Sequence, residues 1–423
     1  MDANGYYLYL PAIFIYDDLE KLAFVDQMPE QFDRRYFLYK AQSGGYMTKY
    51  TPGMAILELP FFLLSHAAAL LMGEEVSGYS PPYRLGIAFS SLFYSLLGLW
   101  ILARLLLRYF RPEVVSASVL VLFIGSNLLF STVIQAGVTH NYLFFIFALL
   151  MWFLDNWRLR QRKLDFAFAC ACVGFSALIR PTEILIGLVP LSYFVILKGH
   201  PFRISWWKEH ISTLFIGILA FLLCITPIFF YWKFATGNWI AYTYEQEGFY
   251  FDRPWQIWYG LFGFRKGWFI YTPLAALSLV AGIRMLASDK LNPLFRAFLV
   301  YLPVNTYIVL SWYGWWYGGC FGNRAFVPLL AFLVIPLAWL LENAKPMAFK
   351  GIIAGFVLLI SLNVFQTFQY QRQVMHMDAM TWRAYAYIFG KWKLNDDEKQ
   401  KLKTLLDYPD YSQRGKKLDD YFH

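Results

Sequence analysis

Long apolar runs separated by short polar gaps fill this chain from about residue 85 to residue 368, and arginine and lysine crowd into every second gap. A membrane-spanning helix needs about 20 mostly apolar residues. Candidate spans fall at roughly 85–107, 113–131, 140–155, 166–179, 184–198, 211–233, 267–286, 295–311, 325–341 and 351–368. The predicted fold class is all-α: a polytopic transmembrane helical bundle of about ten spans. One set of gaps holds Arg104, Arg108, Arg111, Arg158, Arg160, Arg162, Lys163, Lys198, Arg203, Lys208, Arg284, Lys290, Arg296, Lys345 and Lys350. The alternate set holds only Arg84, Arg180, Lys233, Arg253, Arg265, Lys266 and Arg324. By the positive-inside rule the first set faces the cytoplasm. The second set then faces the periplasm or cell exterior, together with the first eighty or so residues.

Three regions follow from that pattern. Residues 1–84 are read as an extracytoplasmic loop carrying interfacial or re-entrant helices, residues 85–368 as the transmembrane domain, and residues 369–423 as a polar C-terminal tail. Gly53 to Met72 is apolar enough to span, but a full crossing would invert every later gap. It also carries Glu58, Pro60 and His66. It is expected to lie along the outer interface or to re-enter the membrane, with an ordinary span as the alternative. Two rules disagree about the tail. Helix parity places it outside, while its many lysines and arginines, from Arg372 to Lys417, argue for the cytoplasm. No internal repeat or low-complexity stretch is evident.

Composition agrees with a lipid setting. The chain is 58% hydrophobic, 21% aromatic and 15% charged, against about 45–50% apolar and about 25% charged in soluble domains. Its net charge of +9 is spread through the membrane gaps, so it gives no reason to expect nucleic acid. Of the cysteines, Cys170, Cys172 and Cys224 lie within apolar runs, and Cys320 does not suggest a disulfide framework or zinc site with them. Met1 leads directly into Asp2-Ala3-Asn4-Gly5, without the apolar core of a cleavable signal, so a membrane segment is expected to direct insertion.

The remaining polar chemistry collects in the outer gaps. Transporters place ionisable groups near the bilayer midplane, often at broken helices. Here the predicted span centres are nearly free of charge, and a transporter or flippase of lipid-linked glycans is the alternative to an enzyme. The outer inventory begins at Asp2 and at Tyr46-Met47-Thr48-Lys49-Tyr50-Thr51-Pro52-Gly53. It continues through Thr139-His140-Asn141, Arg180-Pro181-Thr182-Glu183 and the stretch from Tyr242 to Trp268, and ends with Ser311 to Arg324. Asp2 suits a general base. Lys49, Arg180, Arg265, Lys266 and Arg324 suit a phosphate. His140 and Glu58 are further candidates on the same side. Aromatic rings suit both an interface and a sugar face. Each member has a plainer role: a ring as interfacial belt, a cation as helix-end anchor, His140 as a cap, Glu183 as a local partner of Arg180. The set carries the reading. The glycines at 314, 318, 319 and 322 mark a tight turn, and no metal-ligand spacing appears.

In order, these segments resemble the polytopic GT-C glycosyltransferases that use polyprenyl-phosphate sugars, such as protein O-mannosyltransferases and the lipid A aminoarabinose transferase. The similarity extends to members from Bacteroidetes-type bacteria and covers nearly the whole chain through loose motifs. The acid loop looks like Asp2 to Pro11. The basic-residue and proline segment before an interfacial helix looks like Lys49-Tyr50-Thr51-Pro52-Gly53. A span ends at Arg104 and Arg108, and Arg324-Ala325-Phe326-Val327-Pro328 opens a late one. The resemblance implies a glycosyltransferase of the bacterial inner membrane with its active site facing the periplasm. A loop acid would assist the acceptor, and outer cations would bind the carrier phosphate. The implied partners are a polyprenyl-phosphate-linked sugar donor, a lipid, glycan or protein acceptor, and the membrane. No cofactor is implied with certainty, and a divalent cation is admissible. The chain departs from the family pattern twice. The family carries a span before its acid loop, whereas Asp2 adjoins Met1. Many relatives have two adjacent acids there, whereas Asp2 is followed by Ala3, leaving Asp17, Asp18 and Glu58 as reserve acids.

Overall fold

Helices built on the apolar runs account for most of the chain, and proline and glycine set many of their ends. The structure, a computed structural model, describes residues 2–27, 37–40, 44–199, 204–244, 247–287 and 292–409. Arg203, Lys290, Arg414, Lys416 and Lys417, used above for sidedness, lie outside these. Two short helices, α1 (Asp2–Tyr7) and α2 (Tyr9–Phe14), open the chain. A two-stranded antiparallel hairpin follows, β1 (Leu38–Lys40) with β2 (Tyr46–Thr48), placing Tyr39 opposite Met47. Then come α3 (Gly53–Met72), α4 (Pro81–Leu106), α5 (Pro112–Ile124), α6 (Asn127–Val133), α7 (Thr139–Arg160), α8 (Lys163–Ile179), α9 (Leu188–Lys198) and α10 (Ile204–Thr236). The second half contributes α11 (Trp255–Phe262), α12 (Trp268–Tyr271), α13 (Pro273–Met285), α14 (Asn292–Leu310), α15 (Leu330–Glu342), α16 (Pro346–Gln371), α17 (Trp382–Ile388) and α18 (Asp396–Lys403).

Among the described residues, eight helices are long and apolar enough to cross a membrane. Seven coincide with predicted spans, and the eighth is α3, so Gly53–Met72 has the length and composition of a full crossing as well as of an interfacial helix. The predicted 113–131 pass is a bent pair, α5 and α6, turning by 66° at Gly125-Ser126, where the Ser126 hydroxyl accepts from the Leu128 amide and caps α6. The predicted 166–179 and 267–286 passes are shorter than a full crossing. The helix α8 runs 17 residues before Arg180-Pro181 ends it, and Thr272-Pro273 divides the other into α12 and the 13-residue α13. Proline opens α5, α13 and α16 at positions where its missing N–H costs nothing.

The chain forms two units, one of residues 1–98 with 136–245 and the other of residues 99–135 with 246–423. In the first, α8 lies between α7 and α10. Small residues permit the approach: a Cβ on Gly174 would stand 2.4 Å from the Phe221 carbonyl oxygen, and one on Gly217 would stand 2.9 Å from the Cys170 sulfur. Close packing of this kind is how membrane helices associate when lipid removes the hydrophobic drive. Tyr7, Tyr9, Met47, Phe62, Tyr83 and Tyr231 build an aromatic core under the N-terminal segment of the same unit.

In the second unit α13 packs on α15, where the Ser278 hydroxyl donates to the Leu333 carbonyl at 2.5 Å, and Phe298 stacks on Phe332 with centroids 4.7 Å apart. The apolar stretch of Arg324–Glu342, which ends in α15, is 83% buried and that of α16 only 11%, so α15 is the core of this unit and α16 presents its sides to lipid. The polar tail packs back on the unit. Arg265 donates to the Asp378 carbonyl at 3.3 Å, and Lys266 donates to that of Met377 at 2.5 Å. The tail therefore shares a face with the Phe264–Trp268 and Ser311–Arg324 loops.

Candidate active site

In the first unit one backbone segment, Lys49–Gly53, reaches both the N-terminal acid and the end of α8 that precedes Arg180. Asp2 begins α1, and its Oδ1 accepts a hydrogen bond from the Tyr50 hydroxyl at 3.0 Å. Tyr50 is fixed from several sides. Its ring stacks on Tyr6 with centroids 4.3 Å apart, and its carbonyl accepts from the Tyr9 hydroxyl at 2.6 Å. Burial pushes the Tyr9 phenol well above its usual range, which keeps it protonated as that donor. Beside it, Thr48 donates to the Gly5 carbonyl at 2.9 Å, holding β2 against α1. A side chain on Gly5 would collide with the Tyr50 ring at 2.3 Å, so glycine lets α1 sit directly on that ring.

Lys49 lies beside two rings, 5.7 Å from the centroid of Tyr50 and 5.6 Å from that of Tyr244, while its carbonyl accepts from Thr243 at 2.8 Å. The next residues reach the end of α8. Thr51 donates to the Ile179 carbonyl at 2.7 Å, and a Cβ on Gly53 would stand 2.6 Å from the Ile179 nitrogen and the Leu178 oxygen. Arg180, immediately after Ile179, ends α8 in an extended conformation and pairs with Glu183 at 3.7 Å. The Lys49–Gly53 segment thus connects the acid of α1 to the arginine at the end of α8.

His140 and Glu58 belong to the adjoining layer. Gly137, at φ +76°, packs beside Ala3, with a built Cβ only 3.3 Å from the alanine's own, which sets the turn before α7 beside α1. His140 is buried in that turn. Glu58 is buried in the second turn of α3, where Oε1 accepts from the Tyr142 hydroxyl at 2.9 Å and Oε2 has no hydrogen-bond partner among the described residues. Tyr142 also meets Ser90 at 2.6 Å, and Asn141 donates to Ser91 at 2.6 Å. Of the reserve acids, Asp18 accepts from the amides of Lys21, Ala23 and Phe24, which makes it a turn cap, and Asp17 stands at φ +46° in the same turn.

The other three predicted cations lie in the second unit. Arg265 pairs with Asp407 at 2.5 Å and stands 5.7 Å over the Trp316 ring. Lys266 is fully buried. It donates to the Cys320 and Met377 carbonyls, and its Nζ lies 3.4 Å from the Cys320 sulfur. Burial lowers the proton affinity of this lysine, the Cys320 thiol and Asp378 oppose that, and the charge of Arg324 adds to it. Arg324 follows Asn323, whose side chain caps the turn by accepting from the Ala325 amide at 3.2 Å. Among the described residues no three His, Cys, Asp or Glu side chains gather as a metal site. Sequence reasoning did not single out Tyr50, Tyr244 and Thr51. The only sequence signal for them is their adjacency to Lys49 and to the Tyr242 stretch.

No protein-family model matches the chain, and no curated protein does so either. A solved structure shares the fold: ArnT from Cupriavidus metallidurans bound to undecaprenyl phosphate, with a TM-score of 0.53 at 12% sequence identity. The likeness covers 80% of this chain and 59% of the ArnT chain, so it spans somewhat more than half the length of that protein. At this identity the likeness establishes the architecture, a polytopic helical membrane bundle of the ArnT kind.

Proposed function

We propose that the protein is a membrane glycosyltransferase of the GT-C type, moving a sugar from a polyprenyl-phosphate donor to a lipid, glycan or protein acceptor at the outer face of the inner membrane. The observation that carries this reading is the Lys49–Gly53 segment, which is bonded to Asp2 through Tyr50 and to the end of α8, next to Arg180, through Thr51. An acid bonded to Tyr50, a lysine beside the Tyr50 and Tyr244 rings and an arginine at the end of α8 fit a reaction in which an acceptor hydroxyl is deprotonated as a phosphate departs.

In the proposed reaction the acceptor oxygen attacks the anomeric carbon from the face opposite the phosphate, with inversion. The new C–O bond forms as the bond to the phosphate oxygen breaks, and the electron pair leaves with that oxygen. Asp2 takes the acceptor proton, and the Tyr50 hydroxyl fixes which way its carboxylate faces. Lys49 and Arg180 neutralise the charge growing on the phosphate. The rings of Tyr50 and Tyr244 stand beside the Lys49 ammonium and favour its charge. Glu58 and His140 shape the layer behind Asp2. Arg265, Lys266 and Arg324 remain phosphate-binding candidates of the second unit on sequence grounds.

Purified protein incubated with radiolabelled polyprenyl-phosphate sugar and membrane lipids tests the reading. Label passing into an acceptor supports it. Label that only changes leaflet supports the flippase alternative, and label that does neither removes both.

A further inference from the structure

The apolar side of α16 does not stop where that helix ends. Val357, Leu358 and Val364 are exposed along it, and Phe365 and Phe368 continue the stripe at helical spacing into its last two turns. The Trp392 ring packs edge-on against both phenylalanines, with centroids 4.7 Å and 5.3 Å away. Trp392 itself stays 57% exposed, so the tail lengthens this apolar stripe instead of covering it. At the same level the guanidinium carbon of Arg372 stands 4.0 Å over the Phe368 ring.

The tail helix α17 presents the same chemistry beside it. Two glutamines of α16 fasten it there. Gln366 donates to the Tyr385 hydroxyl at 2.5 Å, and Gln369 donates to the Ile388 and Lys391 carbonyls, each at 2.8 Å. Ala384 and Ile388 form the buried face of α17. At about 3.6 residues per turn, Trp382 and Phe389, the residue just past the helix, fall on the opposite face. They are 63% and 59% exposed, and Arg383 and Lys393 are exposed beside them. Large aromatic side chains left bare together mark a surface that something covers.

Continuity identifies the cover. The apolar window of α16 is only 11% buried and the helix is long enough to cross a bilayer, so its exposed stripe faces lipid. Trp392 extends that stripe past the helix end, where hydrocarbon gives way to headgroups. Tryptophans with neighbouring cations suit that layer, and a short helix with one apolar face lies in its plane.

We propose that the tail segment from Trp382 to Lys393 is an interfacial anchor. It lies in the headgroup layer at the end of α16, with Trp382, Phe389 and Trp392 entering the acyl boundary and Arg383 and Lys393 reaching water. Part of the C-terminal tail is then a membrane element. The anchor uses residues of the second unit only and does not depend on the transfer reaction proposed above.

Hydroxyl-radical footprinting of the unsubstituted full-length protein in lipid nanodiscs tests whether the face is covered. Tyr408, in the same tail, is 55% exposed and serves as the reference. After correction for the intrinsic reactivity of each side chain, Trp382, Phe389 and Trp392 are expected to oxidise several-fold less than Tyr408. Equal oxidation of all four overturns the anchor. Photo-crosslinking then tests what covers it, with benzoylphenylalanine replacing Trp382, Phe389 or, as the aqueous control, Lys399 of α18, one at a time. Lipid adducts are expected at 382 and 389 and several-fold fewer at 399. Equal adducts at all three positions, or crosslinks to a second copy of the chain in place of lipid, overturn it. Sugar transfer is not the readout, so either result stands whatever the transfer assay gives.

Discussion

The two units hold their outer cations in opposite ways. In the first, Lys49 lies beside two tyrosine rings, and Arg180 sits at a helix end with Glu183 at a loose 3.7 Å. In the second, Lys266 gives its N–H groups to two carbonyls of its own chain, and Arg265 closes on Asp407 and the Asp378 carbonyl. The lesson concerns what the contact consumes. Rings hold a cation through its charge, whereas carbonyls occupy the donors that a phosphate would use. The second arrangement clamps a polar tail onto a membrane bundle.

The sharpest way to break this contrast is to remove the acid. Asp2→Asn keeps the shape and the Tyr50 contact but cannot accept a proton. A loss of about 10²–10⁴ in transfer rate is expected, the usual worth of a general base, with membrane insertion and thermal stability unchanged. Wild-type turnover in that variant would strip Asp2 of its role.

Gly53→Ala tests the junction itself. The added carbon meets backbone atoms of Leu178 and Ile179 at 2.6 Å, and backbone cannot swing aside as a side chain can. A loss of about 1–3 kcal/mol of stability is expected from overpacking. Transfer should fall further than stability alone explains, because Lys49 and Arg180 are pushed apart. An alanine variant with unchanged melting and unchanged transfer would show that the Lys49–Gly53 segment does not couple α1 to α8.

Much of this architecture could be read from the sequence, and the site only partly. Span positions follow from hydropathy, which is a local property, so α4, α7, α10 and α15 lie where the apolar runs are. The breaks at Gly125-Ser126 and Thr272-Pro273 are short polar or proline interruptions that a window of span length averages away. Charge and parity disagree about the tail, and the contacts that hold it to the bundle, Arg265 to Asp407 and Lys266 to Met377, join residues more than a hundred positions apart. The Thr51–Ile179 bond is as long in sequence, and the Asp2–Tyr50 bond still joins residues 48 positions apart. Each candidate could be named by residue type, but which of them share a junction is a long-range fact. Arg253 illustrates the other limit: it is one cation among seven in the outer gaps, and only the fold shows it buried.

Lys266→Met sharpens the contrast from the other side. It leaves the Cys320 and Met377 carbonyls without their donor inside the second unit, at about 1–3 kcal/mol for a buried polar group left unmade. A lower thermal midpoint is expected, together with faster proteolysis of residues 376–409. If the midpoint holds and only lipid or donor binding falls, the lysine belongs with the ligand-binding cations and the clamp reading fails.

The smallest effect concerns the end of that clamp. In α18 the Asn395 side chain accepts from the Glu398 amide at 2.8 Å, and the Glu398 carboxylate accepts from the Asn395 amide at 2.9 Å and from Lys391 at 2.8 Å. The Lys391 hydrogen bond, then the Asn395 amide, hold the Glu398 carboxyl below its ordinary range, and Lys399 does the same for Asp396. A carboxyl depressed in the folded state contributes stability above its ordinary value and loses it as pH falls through the depressed one. The α18 turn should therefore be fully capped near neutrality and fray below about pH 4, the ordinary range of these acids. Lys391 is raised chiefly by the same Glu398 bond, so its contribution is lost only above the ordinary lysine range and leaves the acid limb untouched. Because these groups are solvent-exposed and screened by salt, the change should be confined to amide protection in Lys399–Leu402 and should shrink as salt is added. Loss of protection at Met377–Ala379 over the same pH range would instead mean that α18 and the Lys266 clamp unfold as one element, joining the weakest part of the second unit to its most buried charge.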